Sequence, residues 1–295
     1  MTAIQAPAGA ELTAEVIAAR SGSNFLTGFA CLDAERRAGM TAIYAFCRVV
    51  DDAVDDAPDA ATARAHVAFW AAELDAVAAG RPGTPIGGAL RRALQRFGGD
   101  TEALRELLAG VAMDIEPQGS ADEEELRLYC HRVASAVGLA CLPVLGATSA
   151  GARTFAIAIG QALQSTNILR DLRPDADGGR IYVPRTWLAA CGVEPAWLRG
   201  DADPAVYAPG GPLAKLCERL AARAREHFVA ARTALRCLPR RERRALVAAR
   251  IMGAIYGELL TRLERRGGDV RGERVRVPKL QKLWLVLLVL VGARA

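Results

Sequence analysis

Four aspartates close a helix-like pattern near residue 50 of the chain. At about 100° per residue, Asp51 and Asp55 fall on one stripe of a helix together with Tyr44 and Arg48. Carboxylates at a helix C-terminus meet its partial negative charge, and like charges four residues apart repel each other. The pattern therefore predicts a positively charged partner for these side chains, unless the segment is a solvated acidic helix end.

A second polar stripe repeats the pattern further along the chain. Gln164, Asn167, Asp171 and Asp175 recur at helical spacing and also approach the end of a predicted helix. Asn167 precedes apolar residues, and an amide beside a buried segment needs hydrogen-bonding partners. Two such stripes predict one shared cation site, whereas two solvated helix faces are the alternative.

Oxygen ligands without histidine or cysteine among them favour Mg²⁺, with Mn²⁺ as a substitute. Mg²⁺ in proteins commonly takes one or two carboxylates and completes its shell with water and substrate phosphates. The expected substrate group is therefore a diphosphate. Arg48 and Arg170, one beside each stripe, could contact phosphate oxygens that the metal leaves free.

The composition is that of a globular protein with a large core. The chain has 295 residues, 52% of them hydrophobic, and a net charge of +5, so it can bury one large core or two smaller ones. Its late arginine-rich runs lack interleaved aromatic residues or a DNA-binding motif, which argues against nucleic acid as a partner.

The seven cysteines never form a CxxC pair, and the first residues lack a signal-peptide pattern. A cytoplasmic location is expected.

Helical periodicity recurs along nearly the whole chain, which predicts an all-α fold. Asp33 and Asp59 are predicted N-caps, the first for the helix that ends in the first acidic stripe. Pro174 is expected to end the helix that carries the second stripe. Further helices are predicted at about 86–97, 101–115, 120–142, 213–237 and 240–266.

Two loop-like segments could complete the site. The segment SGSNF brings Ser21, Ser23 and Asn24 into a turn. The segment DGGRIYVP could fold Arg180 and Tyr182 over the acidic residues, although an ordinary surface loop explains it equally well.

Tyr129, Val133 and Val137 form an apolar stripe with small residues beside it. Small side chains let another helix or a thin lipid chain approach closely, and ordinary core packing is the competing interpretation. Tyr256, on the apolar part of the last long helix, could face the same cavity or pack in the core.

The tail LWLVLLVLVG is apolar on all sides but about half as long as a helix that spans a bilayer. Lys279 and Lys282 precede it and Arg294 follows it, which suits a helix lying at a membrane interface. Burial against the rest of the protein is an equal alternative.

The segments YAFCRVVDDAVDD, LYCHRVASAVGL, QSTNILRDLRPD and GRIYVP resemble the successive motifs of the squalene/phytoene synthase family. SGSNF and IMGAIYGELL extend the resemblance over nearly the whole chain, which is most similar to the presqualene diphosphate synthases of bacterial hopanoid biosynthesis. The resemblance implies a single all-α isoprenoid-synthase domain with a central apolar cavity at 21–277. A tail with a short helix at 1–20 and an apolar, basic tail at 278–295 would flank it.

The resemblance also assigns roles by position. It implies that the catalytic residues are Asp51, Asp55, Asp171 and Asp175. It also implies that these four carboxylates bind the metal together with Asn167. It implies substrate contacts, to the diphosphate or the prenyl chain, for Ser21, Ser23, Asn24, Tyr44, Arg48, Tyr129, Val133, Val137, Gln164, Asn167, Arg170, Arg180, Tyr182 and Tyr256.

The implied reaction is a Mg²⁺-dependent head-to-head condensation of two farnesyl diphosphates to presqualene diphosphate, without NADPH. A phytoene synthase that takes geranylgeranyl diphosphate and a reducing squalene synthase that continues with NADPH remain alternatives. A non-catalytic, membrane-associated assembly factor is an alternative of another class. The implied partners are farnesyl diphosphate and later enzymes of squalene formation. The residues of the tail, rather than the resemblance, suggest a peripheral contact with the inner face of the membrane.

Overall fold

The computed structural model describes residues 6, 7, 9–21, 28–117 and 119–292, except for the side chain of Ser21. Within these residues every regular element is helical, so the predicted all-α class is confirmed. The α-helices are α1 Ala14–Ser21, α2 Ala34–Asp55, α3 Ala60–Ala78, α4 Pro85–Phe97, α5 Glu102–Ala112, α6 Glu123–Cys130, α7 Ala136–Leu145, α8 Ala150–Arg170, α9 Leu172–Asp177, α10 Arg185–Cys191, α11 Pro212–Cys237, α12 Arg240–Ala245, α13 Val247–Arg266 and α14 Lys279–Leu290.

Several helices begin where a short polar side chain accepts a hydrogen bond from a free backbone amide. Asp33 accepts a hydrogen bond from the amide of Arg36 at 2.9 Å, and Asp59 accepts one from the amide of Thr62 at 2.7 Å. Both predicted N-caps are therefore confirmed. Gly98, in the left-handed conformation, ends α4 close to the predicted position.

Helices α2 and α8 carry the two polar stripes and are held in place by the core. Phe46 of α2 packs edge-on against Trp70 of α3, with ring centroids 5.9 Å apart, and both side chains are fully buried. α8 packs along α11 and against the segment that contains α6 and α7. Because the apolar faces of α2 and α8 are packed, the positions of their polar stripes are fixed.

One turn of π-helix, His131–Ser135, joins α6 to α7, where the sequence predicts an uninterrupted helix. In a regular α-helix, two side chains four residues apart point in directions that differ by about 40° around the helix axis. A π turn contains more residues per turn, so it reduces this difference. Tyr129, Val133 and Val137 consequently all face the two adjoining cavities described below.

Gly160 allows α8 to approach this π turn closely. A Cβ atom at position 160 would lie 2.5 Å from the Cα atom of Ser135, so a larger residue would push the two backbones apart. Ser135 also donates a hydrogen bond from Oγ to the carbonyl of Ile157 at 2.9 Å. These contacts hold the second polar stripe against the helix that carries Tyr129.

The helix with the second polar stripe ends at Arg170, before Pro174 is reached. Asp171 is the boundary residue, and Pro174 lies in the first turn of the next helix, α9, where its missing amide hydrogen costs no intrahelical bond. The predicted end of the long helix before Pro174, at about residue 172, is therefore confirmed to within two residues, although Pro174 itself lies in the next helix. Asp175 lies in the same turn, and its amide donates a hydrogen bond to the carbonyl of Asp171 at 2.9 Å.

The helix predicted at 240–266 is divided at Leu246 into α12 and α13. The apolar tail forms α14, which packs on α13. By length and composition alone, one described segment, Glu123–Leu145, could cross a membrane. This segment contains α6 and α7 and lines both cavities, so its apolar character is that of a core helix.

Candidate active site

The two polar stripes line one open cavity of about 360 Å³, called here the polar basin. Asp51 and Asp55 reach it from α2, whereas Asp171 and Asp175 reach it from the junction of α8 with α9. The rest of its wall consists of Arg48, Val54, Val111, Asp114, Tyr129, Val133, Gln164, Asn167, Ile168, Arg170, Arg180 and Tyr182. The structure thus brings together acidic residues that are more than a hundred positions apart in the sequence.

An apolar cavity of about 320 Å³, called here the apolar chamber, adjoins the polar basin. The two cavities share the wall residues Arg48, Asp51, Val133, Gln164 and Asn167. The chamber is otherwise lined by Phe29, Met40, Ile43, Tyr44, Cys47, Ala134, Val137, Gly138, Cys141, Leu142, Leu145, Ala156, Ile159, Gly160, Leu163, Leu246, Ala248, Ala249 and Met252. A molecule with an anionic head and a hydrocarbon chain could therefore occupy both cavities at once.

The carboxylates of Asp51 and Asp175 lie in surroundings that disfavour negative charge. Burial, and then repulsion from Asp55, raise the pKa of Asp51 to about 7. Burial and repulsion from Asp171 likewise raise the pKa of Asp175 to about 7. A divalent cation in the basin would offset both effects.

Arginines already hold the other two acids of the predicted metal set. Arg180 donates a hydrogen bond to Asp55 at 2.6 Å. Arg274 donates two to Asp171, each 2.7 Å long, and Arg170 donates to the same carboxylate at 2.5 Å. Burial acts to raise the pKa of Asp171, but these hydrogen bonds outweigh it and lower that pKa overall.

Asp114 is the fifth acid of the basin, and it is hydrogen-bonded to two stacked tyrosines. The hydroxyls of Tyr129 and Tyr182 donate hydrogen bonds to its two oxygens at 3.1 and 3.0 Å. The two rings stack with centroids 4.7 Å apart and an interplanar angle of 21°. Burial raises the pKa of Asp114 although both hydroxyls and Arg180 act to lower it.

Sequence reasoning assigned no role to Asp114 or Arg274. Asp114 follows an apolar helix directly, and an acid at that position is a signal of the kind that drew attention to Asp51. Arg274 lies in the segment between α13 and α14, and nothing in its neighbourhood indicates that its partner is Asp171, 103 residues away.

The donor set of the basin fits a hard divalent cation. The Oδ1 atom of Asn167 is buried and has no hydrogen-bonding partner, while its Nδ2 atom donates to Gln164 at 3.3 Å. This oxygen and the carboxylates of Asp51 and Asp175 are the kind of ligand that Mg²⁺ takes. In the described part of the chain, no three His, Cys, Asp or Glu side chains already form a group that could hold a metal. Arginines pair with Asp55 and Asp171.

The other predicted substrate-binding residues divide between the two cavities and the protein interior. Tyr44 lines the apolar chamber, whereas Tyr256 is 4% exposed, lies outside both cavity walls and interacts with Arg170. Arg48 is exposed at the junction of the cavities and pairs with Asp52 at 2.5 Å. The side chain of Ser21, with Ser23 and Asn24, lies outside the described residues.

Comparisons with known proteins identify the family of the chain. The sequence profile of the squalene/phytoene synthases matches residues 18–281. The chain is 35% identical to a presqualene diphosphate synthase of Zymomonas mobilis over 97% of both chains. It is 33% identical to a phytoene synthase of Mycobacterium tuberculosis over 95% of this chain and 90% of that protein.

A solved structure supports the same relationship. A dehydrosqualene synthase crystallised with a ligand superposes with a TM-score of 0.82 and 25% identity, over 95% of this chain and 94% of the other. The chain therefore belongs to the squalene/phytoene synthase family and has the all-α isoprenoid-synthase fold. It is a prenyltransferase, of the class that joins two prenyl diphosphates head to head.

Proposed function

We propose that this prenyltransferase condenses two molecules of farnesyl diphosphate to presqualene diphosphate, with release of diphosphate. The observation that carries the proposal is the direct connection between the polar basin and the apolar chamber, which share five wall residues. Presqualene diphosphate synthases among the relatives support this product. The catalytic region is taken as residues 21–277, with the segments 1–20 and 278–295 as its tails.

Mg²⁺, or Mn²⁺ in its place, would be held by Asp51, Asp55, Asn167, Asp171 and Asp175. When bound, the metal supplies charge neutralisation and Lewis-acid assistance to the departing diphosphate. Arg180 and Arg274 pair with Asp55 and Asp171, so each of these carboxylates would have to give up its guanidinium partner to become a metal ligand. The freed arginine guanidinium groups could then bind diphosphate oxygens.

The side chains of the two cavities have separate tasks in the proposed reaction. Arg48 and Arg170 orient the diphosphate in the basin, and the apolar chamber keeps water from the allylic cation that diphosphate departure leaves. The double bond of the second farnesyl chain attacks this cation, and loss of a proton closes the cyclopropane ring. The released diphosphate is the proposed proton acceptor, because no side chain stands out as the base, and NADPH takes no part.

Incubation of the purified protein with farnesyl diphosphate and Mg²⁺, followed by mass spectrometry of the extracted product, tests the proposal. Presqualene diphosphate is the expected product, and the Asp51→Asn and Asp171→Asn variants should lose most of the activity. Full turnover by either variant would rule out its assignment as a metal ligand. A chelated sample of the wild-type protein serves as the metal-free control.

Phytoene synthesis is the second candidate, because phytoene synthases are also among the relatives. Supplying geranylgeranyl diphosphate in parallel distinguishes it, since a phytoene synthase would turn over this longer substrate in preference. Adding NADPH to the farnesyl reaction distinguishes a reducing squalene synthase, which would carry the product on to squalene.

A non-catalytic assembly factor is the candidate from another class. Such a protein would gain nothing from Asp51 and Asp175, whose pKa values are raised by burial and then by repulsion from a neighbouring acid. The melting temperature with and without Mg²⁺ and inorganic diphosphate is the direct measurement, because a ligand that binds only the folded state stabilises it. No shift of the melting temperature would favour the assembly factor.

The proposed location of the enzyme is the cytoplasm, and later enzymes of squalene formation are the proposed users of its product.

A further inference from the structure

The C-terminal helix α14 presents a row of apolar side chains to solvent. Their exposed fractions range from 46% at Leu287 to 83% at Leu280. The row recurs at intervals of three and four residues, so it runs along one side of the helix. Its members are Leu280, Leu283, Trp284, Leu287 and Leu290, and Val291 continues it beyond the last turn.

The opposite side of α14 is packed against the protein. Leu285 and Val289 are 1% and 2% exposed. Gln281, on the same side, accepts a hydrogen bond from Arg262 of α13. The orientation of α14 is therefore determined by its inner face, and the outer apolar row is left without a partner within the described residues. A continuous apolar row of this kind marks an interaction surface.

The charges around this row have one sign. Residues 274–295 contain Arg274, Arg276, Lys279, Lys282 and Arg294 and no acidic residue. Lys279 and Lys282 lie in the first turn of α14, where the positive end of the helix dipole disfavours cations. Burial, and then repulsion from Arg276 and Lys279, lower the pKa of Lys282. An anionic partner would relieve this concentration of positive charge.

We propose that α14 binds the surface of an anionic lipid bilayer and lies in the plane of the interface. The apolar row would enter the boundary between head groups and acyl chains, and the cations at its start would contact lipid phosphates. Twelve residues form a helix of roughly 18 Å, too short to cross a hydrocarbon core of about 30 Å. An in-plane helix uses the full length of the row.

Charge distinguishes a lipid surface from a second copy of the chain. Two copies joined through α14 would each bring the same cations and no acids from residues 274–295 to the contact, and like charges across an interface oppose association. Anionic lipids present the complementary sign over the whole length of the helix. The proposal concerns only this surface and does not depend on which prenyl diphosphate the enzyme uses.

Cosedimentation of the full chain with lipid vesicles, without substrate, tests the proposal. Vesicles of equimolar phosphatidylglycerol and phosphatidylcholine should bind the protein, and vesicles of phosphatidylcholine alone should bind it at least about tenfold more weakly. Leu283→Glu and Leu287→Glu should each weaken binding to the anionic vesicles by about tenfold. Lys279→Gln should weaken it by about fivefold.

Leu128→Glu is the matched control, because Leu128 is 40% exposed and lies on α6, away from the row. This variant should bind anionic vesicles as the wild type does. Circular dichroism and the melting temperature should be unchanged in the α14 variants, since the substituted side chains are exposed. Equal vesicle binding by the wild type and the Leu287→Glu variant would overturn the proposal. A wild-type dimer in light scattering that Leu287→Glu dissociates, without vesicle binding, would also overturn it.

Discussion

Arg274 donates two parallel hydrogen bonds to the carboxylate of Asp171, each 2.7 Å long. The guanidinium comes from the segment between α13 and α14, whereas the carboxylate lies at the junction of α8 with α9. This pair places a protein cation on an acid that the proposed metal also needs. The guanidinium of Arg274 would therefore compete with a metal ion for this carboxylate.

Replacing Arg274 by glutamine should make the site easier for Mg²⁺ to enter. Without the competing guanidinium, the Mg²⁺ concentration that gives half of the maximal melting-temperature shift should fall severalfold. Arg271→Gln is the matched control, because Arg271 lies in the same segment and pairs with Asp269 rather than with an acid of the basin. An unchanged Mg²⁺ requirement in Arg274→Gln would show that the pair does not compete with the metal.

The same substitution should lower the stability of the metal-free protein in a way that depends on pH. The pKa of Asp171 is lowered in the folded state, so the pair stabilises the protein above the unfolded pKa, and that stabilisation is lost as pH falls through the folded value. Because Arg274 is 46% exposed, the loss at pH 7 should be no more than about 1 kcal/mol. Chemical denaturation at pH 7 and at acidic pH should show the difference shrinking in acid.

Asp51→Asn should reduce activity by more than about a hundredfold, because the substitution removes a proposed metal ligand from the reacting diphosphate. It should also stabilise the metal-free protein at pH 8 by roughly 1–3 kcal/mol. The pKa of Asp51 is raised to about 7 in the folded state. The ionised Asp51 carboxylate therefore lowers the free energy of unfolding progressively as pH rises from the unfolded pKa to the folded one. The gain should therefore be small at pH 5.

Denaturation curves at the two pH values, recorded with a chelator present, measure this gain. Asp56→Asn is the control, since Asp56 is exposed at the end of α2 and lines neither cavity. A variant that is less stable than the wild type at pH 8 would contradict the prediction that Asp51 is strained by burial.

Asp114→Asn should lower kcat by about tenfold to a hundredfold, because the neutral amide can no longer accept strong hydrogen bonds from both tyrosine hydroxyls. Tyr129 and Tyr182 would then lose the partner that orients them at the edge of the basin. Steady-state kinetics measures the effect. Glu116→Gln, which affects only a surface pair with Arg64, should leave kcat unchanged.

The activity losses caused by Asp114→Asn and Tyr182→Phe should not be additive. If the two groups act as a unit, the double variant should lose little more activity than Asp114→Asn alone. Fully additive losses would indicate that Asp114 and Tyr182 contribute independently.

Met40→Ala should shift substrate preference towards longer prenyl chains. Met40 lines the apolar chamber and lies eleven residues before Asp51 on α2, which is roughly 16 Å along the helix axis. Shortening this side chain would extend the chamber at the end remote from the acids. The ratio of kcat/KM for geranylgeranyl over farnesyl diphosphate should rise by about tenfold.

Val77→Ala is the control for the loss of a buried side chain, because Val77 is 4% exposed and lines neither cavity. It should reduce stability and leave the ratio unchanged. An equal kcat/KM ratio for the two substrates in Met40→Ala and the wild type would show that the end of the prenyl chain does not lie at Met40.

The sequence by itself was enough to define the two polar stripes and most helix boundaries. Asp51 and Asp55, or Asn167 and Asp171, share a helix face because their spacing matches the helical repeat, which is a local property of the backbone. The caps at Asp33 and Asp59 are local for the same reason. Local rules therefore sufficed for the fold class and for the two polar stripes, but not for Asp114.

Tertiary structure decided how those acids are partnered. Tyr182 reaches Asp114 across 68 residues and Arg274 reaches Asp171 across 103, and no periodicity relates residues so far apart. The π turn at His131–Ser135 also depends on packing, since it exchanges regular α-helical hydrogen bonds for the placement of side chains in the cavities. Long-range contacts form only when the whole core assembles, and for that reason spacing along the chain could not reveal them.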